Sequence, residues 1–135
     1  MISPIILIEG NMASFEHDEL TQRIIGCCFE VHRALGPGFN EKIYAKALGH
    51  QLILENLSFV AEKEFNVIFK DQFVGKFRCD IFVEGRVIVE LKSVTGFIPK
   101  LFKSQVLSYL KASCVKTGLL INFGNDSCEV SRITV

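Results

Sequence analysis

Apolar residues recur every three or four positions through the first third of the chain and at shorter spacing after it, so helices precede strands. The helical spacing over residues 16–35 predicts a first helix, with Asp18 as its N-cap. The Leu-Gly-Pro-Gly stretch at 35–38 ends this helix, because proline disfavours a helical conformation in the residue before it. A second helix is predicted from residue 41 to about residue 56, with Asn40 as its N-cap.

The pattern from residue 59 onward is typical of β-strands, with one further helix. Strands are predicted over 59–69, 73–83 and 86–92, close enough together to form an antiparallel meander. A helix over about 100–112, a strand over 115–123 and a last, edge strand over 129–134 follow. This order predicts an α/β fold with a central mixed sheet, in which a crossover helix follows the meander.

Three ionisable residues lie in or beside the apolar hairpin of residues 79–91, which turns at Glu84-Gly85. Side chains alternate along a strand, so Glu90 and Lys92 share one face. Folding the hairpin brings Asp80 opposite Glu90, to within one register step. The sequence therefore places two carboxylates side by side in a largely apolar setting.

Two interpretations of this carboxylate pair stay open. Adjacent carboxylates repel, and a single lysine can neutralise only one of them, whereas a hard divalent cation such as Mg²⁺ would satisfy both. Alternatively, Asp80 and Glu90 lie at strand ends in water, with Lys92 as an ordinary surface partner. Spacing alone does not separate a catalytic metal site from such an ion network.

These residues also carry a resemblance to a known family. Asp80, followed by Glu90-Leu91-Lys92, resembles the D…(D/E)xK signature of the PD-(D/E)XK nuclease superfamily. Residues 38–44, GFNEKIY, match the GxxExxY motif that names one small bacterial family within it. Further segments similar to that family, in consistent order, lie at 30–33, 35–38, 105–109 (QxxxY) and 118–123. The series as a whole is more specific than the D…ExK spacing alone.

The resemblance implies a restriction-endonuclease-like core, αβββαβ with an extra N-terminal helix and a central mixed sheet flanked by helices. It also implies a nuclease dependent on Mg²⁺ or Mn²⁺, with DNA as the favoured nucleic acid. Asp80, Glu90 and the backbone carbonyl of Leu91 would hold the metal, and Lys92 would orient or deprotonate the attacking water. The alternative is a non-catalytic nucleic-acid- or protein-binding module on the same fold.

Four more residues become candidates through the resemblance. Glu41 lies in the first turn of the second helix, where the helix dipole favours any carboxylate; the match makes it a third acidic group near the metal, bound directly or through water. Tyr44 shares the helical face of Glu41 and is a supporting residue. Gln105 and Tyr109 are four apart on one helix face. The QxxxY match implies that both line the site, where Gln105 would orient a water on the metal or contact a phosphate.

Composition limits the classes of protein to which the chain can belong. Of 135 residues, 49% are hydrophobic and 22% are charged, as in a folded globular domain. We expect that domain to span residues 16–135, after an N-terminal extension, 1–15, to which no function is assigned. The net charge is zero, but residues 1–85 hold 8 Lys or Arg against 12 Asp or Glu, and residues 86–135 hold 7 against 3. The basic half could guide a phosphate backbone, although such unevenness is usually a surface detail.

Cysteine spacing and the absence of other motifs exclude several functions. The five cysteines form no CxxC pair and no zinc-ligand spacing, so we expect buried, reduced thiols in a cytoplasmic protein. A redox or metal-storage function therefore has little support. The apolar run at residues 3–8 is too short to span a membrane, and no membrane association is expected. Because the sequence holds little beyond the core, a homo-oligomer or a protein partner is a further expectation.

Overall fold

Two helices cover one face of a mixed sheet, and a third helix covers the other face. The structure, a computed structural model, describes residues 5–8 and 18–135. Its helices are α1 (Glu19–Leu35), α2 (Glu41–Leu54) and α3 (Lys100–Ser113). Its strands are β1 (Ile5–Ile8), β2 (Phe59–Ala61), β3 (Glu64–Phe69), β4 (Gln72–Arg78), β5 (Ile81–Val83), β6 (Val87–Lys92), β7 (Thr117–Asn122) and β8 (Glu129–Thr134). None of the helices in these described ranges is both long and apolar enough to cross a membrane.

The first two helices begin at the capping residues that the sequence predicts. The Thr21 N–H donates to Asp18 Oδ1 at 3.0 Å, and the Ile43 N–H donates to Asn40 Oδ1 at 3.2 Å. Each cap thereby satisfies one of the N–H groups that the first turn of a helix leaves without a partner. Residues 16–17, where the sequence places the start of the first helix, lie outside the described residues.

The six-stranded sheet has the order β1-β8-β7-β6-β5-β2. β6 and β7 run parallel, as do β1 and β8, while the other neighbouring pairs are antiparallel. The parallel pair is joined by α3, which makes the expected crossover. The prediction of an α/β fold with a central mixed sheet flanked by helices is confirmed.

The last strand is not an edge strand, and that prediction is wrong. β8 pairs with β7 on one side and with β1 on the other, in the register Ile5↔Glu129 to Ile8↔Arg132. Residues 130–133 are buried. A strand flanked on both sides is buried whatever its composition, and β8 buries Ser131 and Arg132 along with Val130 and Ile133.

The predicted meander is also divided in a way that the sequence does not reveal. Each of its first two strands breaks in the middle, so that β2 and β5 join the main sheet while β3 and β4 form a separate two-stranded sheet. The chain bends at Glu62, whose φ is +54°. Two backbone hydrogen bonds hold the bend, Glu62 N–H to the Asp80 carbonyl (2.8 Å) and Cys79 N–H to the Lys63 carbonyl (3.0 Å). The break therefore falls beside Asp80.

The two sheet faces carry separate apolar clusters. On β6, Val89 and Leu91 pack with α1 and α2, whereas Ile88 packs with α3. The helix side chains in the first cluster include Ile24, Cys28, Tyr44, Leu48 and Leu52. Val106 and Leu110 of α3 belong to the second cluster. Burial on both faces explains why β6 and β7 have nearly continuous apolar sequences.

The loops that follow β6 and β7 are fastened together by a buried amide. Asn122 is fully buried; its Oδ1 accepts the Val94 N–H at 2.9 Å and its Nδ2 donates to the Val94 carbonyl at 2.9 Å. Gly124 packs directly against the same segment, since a Cβ added there would lie 2.3 Å from the Val94 carbonyl oxygen. Only glycine permits this approach of the two backbones.

Alanine at two glycines should therefore have opposite effects. Gly124→Ala must displace the Val94 backbone, and we expect it to lower the free energy of unfolding by about 1–3 kcal/mol. Gly26→Ala lies on the exposed side of α1 with no atom within 4 Å of the new Cβ, and should raise it by about 0.5–1 kcal/mol. Urea denaturation measures both. Equal stability of the Gly124→Ala protein and the wild type would contradict the close approach.

Candidate active site

Two carboxylates face each other where β5 and β6 separate. The last regular pair of these strands is Ile81 with Val89, so Asp80 and Glu90 are the next residues on each strand. The Asp80 N–H donates to Glu90 Oε1 at 2.9 Å, and the Leu91 N–H donates to Asp80 Oδ2 at 2.7 Å. The predicted cross-strand contact of Asp80 and Glu90 is confirmed. Side-chain oxygens thus take the place of main-chain acceptors at the end of the strand pair.

Burial dominates the electrostatics of this pair. Glu90 is 5% exposed, and burial, with the charge of Asp80 as the next cause, raises its pKa to about 8. Burial also raises the pKa of Asp80, although the hydrogen bond from the Leu91 N–H and the charge of Lys92 oppose the rise. The hydrogen bonds and the positive charge near the pair therefore do not offset the cost of burying two ionised carboxylates. An added positive charge would favour the ionised form of each.

Lys92 lies on the α3 side of the sheet, the face that alternation assigns to it together with Glu90. Its Nζ lies 4.3 Å from the centroid of the Phe102 ring on α3, within the range of a cation–π contact. After the effects of burial, the positive charge of Lys92 opposes the rise in pKa of both carboxylates. Sequence reasoning missed Phe102, although its position three residues before Gln105 puts it on the same helical face.

Tyr109 lies near the carboxylates, and Gln105 lies one turn before it. The Tyr109 ring stacks on Phe77 of β4 with centroids 4.1 Å apart. Burial raises the pKa of Tyr109, and the charges of Glu90 and Asp80 add to the rise. Gln105 is half-buried, and helical spacing places it between Phe102 and Tyr109 on α3.

The GxxExxY segment has one residue in the core and one in solvent. Tyr44 is fully buried, its ring stacks on Phe123 at 4.4 Å, and its hydroxyl donates to the Gly36 carbonyl. It holds the loop between α1 and α2, so it supports the site through the backbone. Glu41 is exposed, and its charge adds to the rise in the pKa of Asp80 after the larger effect of burial.

The α1–α2 loop is joined to the end of β6. Ser93 Oγ donates to the Phe39 carbonyl at 2.6 Å. This bond connects the segment just before Glu41 to the residue just after Lys92. The α2 N-terminus is thereby held beside the strand that carries the D…ExK residues.

The donor set fits a hard divalent cation. Asp80 and Glu90 each use one carboxylate oxygen for a backbone N–H, which leaves a second oxygen on each. The Leu91 carbonyl points to the same side of β6 as its N–H, and therefore towards Asp80. Such an oxygen-only set suits Mg²⁺ or Mn²⁺ better than a softer metal. Within residues 5–8 and 18–135, no three His, Cys, Asp or Glu side chains form one metal-binding group, so Glu41 stays apart from the pair.

The cysteines are arranged for packing. Four of the five are buried, and the fifth, Cys114, is exposed at the end of α3, against the expectation of burial. Burial raises the pKa of Cys27 to about 11 and those of Cys79 and Cys128 to about 12. These thiols are neutral at physiological pH and therefore poor nucleophiles and ligands.

Comparison with known proteins gives one family match. A family model described as the PD-(D/E)XK nuclease superfamily matches residues 18–133. A solved structure, "Crystal structure of SSO0001", has 17% sequence identity over 87% of this chain and 78% of its own, with a TM-score of 0.46, a likeness too distant to support an argument. The curated proteins contain no match to the chain.

The raised pKa of Glu90 gives a stability prediction. The folded pKa of about 8 exceeds the ordinary value of 4.5, so the folded chain binds this proton more tightly than the unfolded chain. The stabilisation is complete below about pH 4.5 and is lost as pH rises through 8. In EDTA, the free energy of unfolding of the wild type should therefore fall by about 1–3 kcal/mol more than that of Glu90→Gln between pH 5 and pH 8.

Urea denaturation at the two pH values measures this difference. Glu55→Gln, at an exposed carboxylate beyond α2, is the matched control and should follow the wild type. If Glu90→Gln has the same pH dependence as the wild type, Glu90 does not hold its proton as described.

Proposed function

The chain belongs to the PD-(D/E)XK nuclease superfamily, and we propose that it is a nuclease dependent on a divalent cation, Mg²⁺ or Mn²⁺. It would hydrolyse phosphodiester bonds of nucleic acid, with DNA as the expected substrate. The observation that carries this proposal is the contact of Asp80 and Glu90 at the end of β5 and β6, with Lys92 on the same face as Glu90. A buried and a half-buried carboxylate with raised pKa values, beside a lysine, are typical of catalytic sites.

Asp80, Glu90 and the Leu91 carbonyl would hold the cation. When bound, such a cation polarises the scissile phosphate and lowers the pKa of a water molecule. The backbone hydrogen bonds that hold the Asp80 and Glu90 side chains would orient their remaining oxygens for the cation. The exposed Glu41 would contribute through water, consistent with its separation from the pair.

Lys92 would act on the attacking water and on the phosphate. Its side chain, which lies over the Phe102 ring, would orient the water or, as a neutral amine, take its proton; as an ammonium it would stabilise the negative charge that develops on the phosphate oxygens. Gln105, on the same face of α3, would orient the water or contact a phosphate. Tyr109, stacked on Phe77, supports that face.

We also place the chain in the GxxExxY family of bacteria, on the strength of residues 38–44. The two residues of that motif have different environments: Tyr44 is buried and holds the α1–α2 loop, whereas Glu41 is exposed to solvent. A cytoplasmic location, with a homo-oligomer or a protein partner, completes this proposal. The competing function is a binding module of the same fold that does no chemistry, and the two experiments below separate it from a nuclease.

Metal binding is the first test. Mg²⁺ or Mn²⁺ at about a hundredfold excess over Kd should raise the Tm of the wild type by roughly 5 °C or more. Asp80→Asn keeps an acceptor for the Leu91 N–H but loses the charge, so its shift should vanish. Asp71→Asn, in the exposed turn between β3 and β4, should respond as the wild type does. A thermal-shift titration that finds no metal-dependent rise, with or without DNA, favours the binding module.

Lys92 is the second test. Lys92→Ala should lower the rate of metal-dependent cleavage about 100- to 10,000-fold while the metal-induced rise in Tm is kept. Lys111→Ala, on the exposed side of the last turn of α3, is the matched control and should cleave at the wild-type rate. Unchanged cleavage by Lys92→Ala would remove the lysine from the mechanism.

A further inference from the structure

The loop between β6 and α3 presents an aromatic ring to solvent. Phe97 is 101% exposed, and Leu101, in the first turn of α3, is 72% exposed. A phenylalanine without any packing partner gives up the stabilisation of roughly 1.5–3 kcal/mol that burial of such a side chain provides. Two large apolar side chains exposed four residues apart, one of them beside a cavity, are a candidate contact for a ligand.

The loop that carries Phe97 is held at two residues just before the ring, Val94 and Gly96. Asn125 Oδ1 accepts the Gly96 N–H at 2.8 Å, and Asn125 Nδ2 donates to the Gly96 carbonyl at 2.9 Å. Val94 is held in the same way by Asn122. The backbone just before Phe97 is thus held in place by hydrogen bonds, which reduces the conformational entropy lost when a ligand packs on the ring.

A cavity of about 510 Å³ lies beside Phe97, between the β6–α3 loop and the β7–β8 loop. This volume is within the range of small-ligand sites. Phe97 lies at its edge with the ring in solvent, Asp126 supplies a carboxylate, and Glu129 supplies the carboxylate oxygen that does not accept from the Asn122 and Asn125 amides. The exposed face of the Phe97 ring suits stacking by a planar base, and carboxylate acceptors suit the N–H groups on the edge of that base.

The cavity lies on the same edge of the sheet as the carboxylate pair. β6 and β7 are parallel, with Lys92 level with Asn122, so the loops that follow them leave at one edge. β5 is antiparallel to β6, and Asp80, which precedes β5, therefore lies at that edge too. Since β6 lies between β7 and β5, Lys92 lies between the cavity and Asp80.

We propose that Phe97 and this cavity bind an unpaired nucleobase of the substrate, adjacent to the phosphate at the Asp80–Glu90 pair. The inference rests on the proposed nuclease function and specifies its substrate class as single-stranded or locally unpaired nucleic acid. The base stacks on Phe97, and its amino or imino hydrogens reach the carboxylate side of the cavity. Lys100, exposed three residues after Phe97, supplies positive charge for the flanking phosphates.

Binding in EDTA tests this site separately from catalysis. Fluorescence anisotropy compares a single-stranded oligonucleotide, the same strand in a duplex, and an abasic strand of equal length. We expect Phe97→Ala to weaken binding of the single strand about 5- to 100-fold and to leave the affinity for the abasic strand unchanged. Phe97→Tyr should restore binding. Phe69→Ala removes a phenylalanine that is 61% exposed on the separate β3–β4 sheet, and should bind as the wild type does.

Four results would overturn the nucleobase site. The first is that Phe97→Ala binds the single strand as tightly as the wild type, and the second is that the substitution weakens binding of the abasic strand by the same factor as binding of the intact strand. The third is that the wild type binds no single strand. The fourth is that the wild type is a dimer in analytical ultracentrifugation and Phe97→Ala is a monomer. The last result would assign Phe97 to contact between copies. None of them decides cleavage, which the Lys92→Ala and Asp80→Asn proteins test independently.

Discussion

The pair of hydrogen bonds that Asp80 and Glu90 accept from the facing backbone is the constraint on which the arrangement of the site depends. Each carboxylate accepts a backbone N–H at the other strand, so the end of the β5–β6 pair is closed by side chains. Two acidic groups are thereby held away from solvent, and the nearby positive charge is too small to offset the effect of burial on their pKa values. Such a pair lowers the stability of the fold, as charged groups at functional sites commonly do.

The helices and loops around the pair restrict the side chains that flank it. On the α3 side, the Phe102 ring contacts Lys92 and the Tyr109 ring stacks on Phe77. On the other side, Tyr44 fixes the turn before Glu41. The site thus lies between the two apolar clusters of the sheet. Aromatic rings, which are rigid, hold the side chains around the carboxylates more firmly than flexible charged side chains would.

Much of the fold and the central contact follow from periodicity. The cap residues Asp18 and Asn40, the helix α3 and the facing of Asp80 and Glu90 depend on local spacing, and spacing is readable from a sequence. The bend at Glu62 is not readable in this way, because it requires a positive φ at a residue that rarely adopts one. The pairing of β1 with β8 joins segments at opposite ends of the described chain, and no local pattern encodes it. The contact of Phe102 with Lys92 likewise depends on how a helix crosses a strand.

A carboxyl pair that keeps a proton near neutrality makes cation binding an exchange reaction. Because burial and the charge of Asp80 raise the pKa of Glu90 to about 8, the pair carries about one proton at neutral pH. A cation that bound these oxygens would displace that proton into solvent, so its affinity would increase with pH, by up to about tenfold per unit until the pair is ionised. The occupancy of the site would then report the acidity of its surroundings as well as the concentration of the cation.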